Sequence, residues 1–343
     1  MESNPSTENL LPPKKTGLSR RSFFKLMGAQ AGSLACLGIL EVTSEKVFNR
    51  WLIYELITGA RTFLFENKKD KNGQSDEIVV DMPVLDQQVP DLFVASSSAK
   101  CGLAEDCNMG IMWSGKEKAY QHRQVFLNYV AKQLNVPESP QVDKLIYMIA
   151  DGKHGPTVVT KDQLTEGKPN VFETESLILQ APGKFIGFQP IDCSGITMVD
   201  PKSKTIAVIH GNKYLNENQM IKKTVDQLQA MGINTEDLLV WIGPGARKLE
   251  LGNSITNAFK AGEAVKTFDL LDSYKKLLAE SGINSQNIEV SAIDTVKDTN
   301  FYSGHAATHL ISPEGNRLPL PQAAKNFFDR YFGNHLLVAG FSK

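Results

Sequence analysis

IDCSGITMVDPKSKTIAVIHG, residues 191–211, is the stretch on which the fold turns. Residues 184–192 and 196–199 carry Phe185, Ile186, Phe188, Ile191, Ile196, Met198 and Val199, a mostly apolar run fit for a buried strand. Asp200-Pro201-Lys202-Ser203 reads as a turn, with Asp at its first position and Pro preset for its second. Residues 205–209 then form the returning strand. With a tight turn, Val199 lies opposite Lys204, and counting outward puts Cys193 opposite His210. Such cross-strand neighbours sit roughly 4.5–5.5 Å apart at Cβ, close enough to share a metal or a proton.

Lys153-His154-Gly155 supplies a further histidine well upstream, which only the fold can bring in. Two imidazoles and a thiol are the ligand set of an open catalytic zinc site. They equally suit a cysteine hydrolase, with Cys193 as nucleophile and His210 as base. Singly, each has a plainer reading: a strand cysteine is usually a small buried hydrophobe, and a strand-end histidine is usually structural. The hairpin pairing is what lifts Cys193 and His210 above it.

The 343 residues carry a net charge near −1, with no basic cluster interleaved with aromatics, so nucleic acid is not an expected partner. Four cysteines without a CxxC pair argue against a zinc ribbon or a disulfide scaffold; Cys101 and Cys107 lie close in sequence and could bridge in an oxidising compartment, with two free thiols the default reading. Residues 1–15 are polar and Pro-containing. Ser19-Arg20-Arg21-Ser22-Phe23-Phe24-Lys25 and the mildly apolar run at 26–40 then resemble a twin-arginine export signal. That run is too short and weak for a membrane span, and no small-residue cleavage site follows. The expectation is a periplasmic or inner-membrane-tethered protein.

Residues 1–45 are thus a tail plus signal or anchor, and 46–77 a helix (47–65) and charged linker (66–76). Residues 78–343 make one catalytic domain. Within it the patterning predicts helices at 116–134, at 216–231 capped by Asn216 and closed by Gly232, and at 272–280 ended by Gly282. Strands are predicted at 238–242, 288–293 and 336–338. Helices and strands intermix without strict alternation. The fold class expected is α+β, with mixed β-sheets flanked by helices in a single large domain.

These motifs, in order, resemble the laccase-domain family, whose members are also called multicopper polyphenol oxidases, purine nucleoside phosphorylases or peptidoglycan-editing factors. Its pattern runs QVHG, ADC, a strand, DP, AHAGWRG, a helix, IGP and a late FFSHRRD. Here Lys153-His154-Gly155, Ile191-Asp192-Cys193, Asp200-Pro201, Val208-Ile209-His210, Trp241-Ile242-Gly243-Pro244 and Phe301-Tyr302-Ser303 fall in the same sequence. Asn108-Met109-Gly110 falls on the family's NLG, and 334–341 on its closing strand. The likeness spans about residues 90–343.

The resemblance implies that His154, Cys193 and His210 act as catalytic residues and gather at one metal, zinc rather than copper. It implies a purine nucleoside with phosphate as substrate: phosphorolysis of adenosine, inosine or methylthioadenosine, or deamination of adenosine. The family's arginines are absent here. Gly211-Asn212-Lys213-Tyr214 replaces GWRG, and Gly304-His305-Ala306-Ala307 replaces the paired arginines of SHRRD. Lys213 and His305 are the candidates left for substrate or anion binding, the plain reading of His305 and His309 being a solvated loop. A hydrolase or amidase acting on cell-wall precursors, and a silent metal- or nucleoside-binding protein, stand as alternatives.

Overall fold

The computed structural model describes residues 78–84, 89–101, 109, 116–166, 170–212, 219–247, 249–250, 267–298, 300–303 and 334–343. The expected signal, the helix at 47–65 and the linker at 66–76 lie outside them. So do Cys107, Lys213, Asn216, His305 and His309. The chain divides into two compact units, residues 1–72 and 73–343, and all described residues belong to the second.

Two six-stranded sheets form its frame. The first has the order β1 (Ile78–Asp81), β2 (Leu92–Cys101), β14 (Leu337–Phe341), β7 (Phe185–Phe188), β3 (Ile146–Ile149), β5 (Asn170–Glu173). The second has the order β13 (Ile288–Val290), β10 (Leu239–Ile242), β8 (Ser194–Asp200), β9 (Thr205–Gly211), β6 (Ser176–Gln180), β4 (Thr157–Thr160). A short pair, β11 (Leu249–Glu250) and β12 (Thr267–Phe268), stands apart from both. Both large sheets are mixed: β3 runs parallel to β5 and β7, β10 parallel to β13 and β4 parallel to β6, while the other pairings are antiparallel.

The sheets pack face to face. Val94, Ile186, Phe188, Leu337 and Ala339 of the first meet Leu177, Leu179, Val199, Ile206, Val208 and Trp241 of the second in one buried cluster. Each outer face is covered by helix. On the first sheet, α1 (Lys116–Gln133) lays Phe126, Leu127 and Val130 against Phe93, Ala95 and Val338. On the second, α2 (Met220–Ala230) and α3 (Leu270–Glu280) cover Ile196, Met198, Ala207, Ile209, Val240 and Ile242. The result is the expected α+β architecture of mixed sheets flanked by helices.

Local chemistry sets the ends of these elements. Gly232 (φ +83°) and Gly282 (φ +90°) follow α2 and α3 in the left-handed region that ends a helix without Cβ strain. Helix α3 starts two residues before the predicted Asp272, because the Asp269 side chain accepts from the Asp272 N–H and caps it.

Two expectations for the hairpin change. The apolar run 184–199 is not one strand: β7 belongs to the first sheet and β8 to the second, and residues 189–193 cross between them. Apolar periodicity reports burial, and both halves are buried, so it could not assign them to different sheets. The register also differs. Asp200 pairs with Thr205, Gly195 with His210 and Ser194 with Gly211, so Cys193 is not directly opposite His210. The Asp200 carboxylate accepts the N–H groups of Lys202 and Ser203 (3.2 and 3.1 Å), which closes a loop two residues wider than assumed. A two-residue slip keeps every side chain on its face. His210 therefore stays on the inter-sheet side, opposite Gly195, and Cys193 sits in the crossover just before β8.

Candidate active site

His210 sits near the end of β9, on the face whose earlier positions, Ile206 and Val208, fill the inter-sheet core. It lies at the rim of that core, its ring 5.4 Å from Phe188 of the facing sheet. Its Nδ1 meets Glu175 Oε2 at 2.9 Å, and Cys193 is the other neighbour that favours a proton on the ring. With Nδ1 committed, Nε2 is the nitrogen left for the thiol. Burial works against a charge on this ring. The interactions with Cys193 and Glu175 outweigh it and raise His210 to about 9.

Cys193 is held from behind by its neighbours. The Asp192 carboxylate accepts from Thr295 Oγ1 (2.8 Å) and Ser303 Oγ (2.7 Å), and its carbonyl accepts from Ala246 N (2.9 Å). Ser194 Oγ donates to the Gly243 carbonyl at 2.8 Å. The motifs at 191–193, 241–244 and 301–303, separate in sequence, thus converge on one crossover between sheets. Gly195, opposite His210, has no room for a side chain: a Cβ there would lie 2.4 Å from Leu337 Cδ1.

His154 lies on the turn between β3 and β4, with its side chain 64% exposed. Its Nδ1 pairs with Asp151, whose carboxylate also accepts the N–H groups of His154 and Lys153. Those two backbone donors are the main reason Asp151 falls to about 2. The structure thus brings Cys193 and His210 together and leaves His154 on a neighbouring exposed arm. Among the described residues no three His, Cys, Asp or Glu side chains are gathered as a metal ion would need. In kind, however, the residues fit zinc. They offer one thiol and two imidazoles, each imidazole with Nδ1 given to a carboxylate and Nε2 left over, the arrangement usual for zinc-bound histidine.

Sequence reasoning did not find Glu175, Asn212 or Tyr274. Asn212 Nδ2 donates to Glu175 Oε2 at 2.8 Å. Tyr274, buried in α3, donates its hydroxyl to the Gly211 carbonyl, and burial pushes its phenol well above the usual range. No local pattern marks Glu175 or Tyr274, since each reaches the site through a partner distant in sequence; Asn212 stands two residues after His210, in the stretch that replaces GWRG. Arg247, three residues beyond Gly243-Pro244, donates to Asp269 (3.2 Å) and to the Ser291 carbonyl (2.6 Å).

Residues 119–309, more than half the chain, match the family model described as multi-copper polyphenol oxidoreductase laccase. A curated relative, a purine nucleoside phosphorylase of Deinococcus radiodurans, is 23% identical over 126 residues. That match covers 34% of this chain and only half the length of the relative. Among solved structures, the hypothetical protein YfiH of Bacillus licheniformis superposes with a TM-score of 0.51 at 16% identity. It covers 80% of this chain and 99% of its own. YlmD of Geobacillus stearothermophilus gives 0.53 at 14%, covering 80% and 98%. Those two share the fold.

Proposed function

This chain belongs to the multi-copper polyphenol oxidoreductase laccase family, and from that membership we propose that it is a zinc-dependent purine nucleoside phosphorylase. Its substrates would be adenosine, inosine or methylthioadenosine, with adenosine deamination as a related activity. The observation that carries this reading is the Cys193–His210 pair backed by a buried carboxylate on His210 Nδ1. The name of the Deinococcus radiodurans relative supports the substrate class.

Cys193, His210 and His154 would hold the metal, zinc rather than copper. A bound zinc lowers the pKa of a water molecule or polarises a substrate oxygen. Around it, Asp192 and its partners keep Cys193 in place, and Asp151 keeps Nε2 of His154 available. Phosphorolysis further requires cationic groups for phosphate. Lys213 and His305 are proposed for that task, Lys213 as a point charge without arginine's two-pronged fork. The segment 19–25 supports a further proposal, export by the twin-arginine route. Replacing Arg20 and Arg21 by Lys should then move the protein from the periplasmic and membrane fractions to the cytoplasm.

The test is a nucleoside-plus-phosphate assay on metal-quantified protein, with products resolved by chromatography. Base release or deamination is expected, and His210→Ala should cut it about 100-fold or more. Retained turnover in His210→Ala would sink the assignment.

The ordered set Cys193, His210, Glu175 also favours a second reading. It follows the sequence nucleophile, base and orienting carboxylate used by cysteine hydrolases. Stoichiometric alkylation of Cys193 in metal-free protein, with amide hydrolysis lost on labelling, would support it. Bound zinc without any turnover would leave a metal- or nucleoside-binding protein.

A further inference from the structure

The carboxylate that reaches both imidazole arms belongs to Glu175, between β5 and β6. Its side chain is 1% exposed, and both oxygens are engaged. Oε2 accepts from His210 Nδ1 (2.9 Å) and Asn212 Nδ2 (2.8 Å), while Oε1 accepts from the Gly152 N–H (2.7 Å). Its main chain repeats the pattern. The Glu175 carbonyl accepts from His210 N at 2.9 Å, and its N–H donates to the His154 carbonyl at 3.3 Å. Thr174 adds two bonds to the same arm, from Oγ1 to the Gly155 carbonyl (2.6 Å) and from N to the Ile149 carbonyl (3.0 Å). One short segment therefore touches the strand bearing His210 and the turn bearing His154.

We propose that Glu175 is the positioning residue that joins the two imidazole arms of this site. It orients His210 with Nδ1–H toward itself and Nε2 toward Cys193, and it ties the Gly152–His154 turn to the same end of the sandwich. The chemistry is one-directional. A buried carboxylate only accepts hydrogen bonds, so the imidazole nitrogen facing it must carry the proton. With burial excluding water as a substitute partner, the opposite tautomer would leave two acceptors facing each other. The consequence for a metal rests on the ligand reading proposed above. The tautomer does not.

Glu175→Gln separates these contributions with little change of shape. A Gln oxygen left on the Gly152 N–H turns its NH2 toward His210 Nδ1 and Asn212; Nδ1 must then accept, and the Asn212 amide turns its oxygen toward the new donor. The neutral ring is thereby driven to the Nε2–H tautomer. Glu175→Asp keeps an acceptor and serves as the conservative rescue.

Long-range proton–nitrogen spectra of the imidazoles would be recorded on the metal-free full chain, at a pH where His210 is neutral. Zinc affinity would be measured beside them by chelator competition. The parent should show Nδ1–H, Glu175→Gln should show Nε2–H, and Glu175→Asp should return toward the parent. Zinc affinity should fall 10–100-fold in Glu175→Gln and recover in part in Glu175→Asp. A parent protein with Nε2–H, or a folded Glu175→Gln that keeps Nδ1–H, overturns the proposal. The parent measurement decides even if Glu175→Gln does not fold. A parent with Nδ1–H that binds no zinc would remove the metal reading and leave the positioning role standing.

Discussion

At the scale of single residues, the site depends on close approaches that leave no room for error. Gly211 follows His210. A Cβ added there would lie 2.7 Å from the Ser194 carbonyl and 2.9 Å from Tyr274 Cε2. The first obstacle is backbone and the second belongs to a fully buried ring, so neither can swing aside cheaply. Gly211→Ala should cost about 1–3 kcal/mol in chemical denaturation and displace the His210 end of β9. An unchanged midpoint would show that the strand end relaxes freely. Glu175 shows why part of the site is not legible residue by residue. It lies in NVFETES, residues 170–176, where no periodicity distinguishes one glutamate from another. The pairing of β6 with β9, with Ser176 opposite Ile209, is what brings it to His210. Pairing the apolar run SLILQ with 205–209 would have been the one available signal.

At the scale of elements, side-chain parity proved more robust than register. The assumed tight turn misplaced Cys193 by two positions along β9, yet a shift of two leaves each side chain on its face. Strand β8 is buried along its whole length, because the facing sheet covers one side and helices the other. Helix ends were legible where glycine or a capping carboxylate is local in sequence. Asp269 caps α3 and also receives Arg247, so one side chain ties the helix start to the turn after β10. Asp269→Ala should cost about 1–2 kcal/mol and lower the thermal midpoint. Asp269→Asn, which retains the cap, should recover most of it. Equal losses in both variants would assign the effect to Arg247 instead.

At the scale of the whole domain, the two sheets are joined at their edges as well as through the core. Ser291 Oγ, just beyond β13, donates to Asp81 Oδ2 of β1 at 2.5 Å. Burial dominates the Asp81 environment and raises its carboxyl from 3.8 to about 6, despite the Ser291 hydrogen bond. Below about pH 4 the group is protonated in folded and unfolded chains alike and carries no penalty. From there to about pH 6 the folded chain keeps a proton that the unfolded chain loses. Stability therefore falls as pH rises through this window, by at most about 3 kcal/mol. Asp81→Asn keeps an acceptor for Ser291 without the ionisation. Its melting temperature should gain on the parent's between pH 4 and pH 7 and run parallel above; a constant offset at all pH values would remove Asp81 as the cause.

What the sequence determined by itself is local or periodic. Alternating and continuous apolar runs specify buried strands, glycines and capping residues end helices, and parity sets His210 on the inter-sheet face. The ordered motifs from Lys153-His154-Gly155 to Phe301-Tyr302-Ser303 carry the family. Only the tertiary structure decided that residues 184–199 serve two sheets, and that Glu175 stands behind His210 and grips the His154 turn. It also decided that Asp192 is braced by Thr295 and Ser303. The physical reason is the range of the forces involved. Burial and backbone conformation act on neighbours along the chain and leave a periodic trace. Hydrogen bonds between partners 23 to more than 100 residues apart form only after the sheets have chosen their strands.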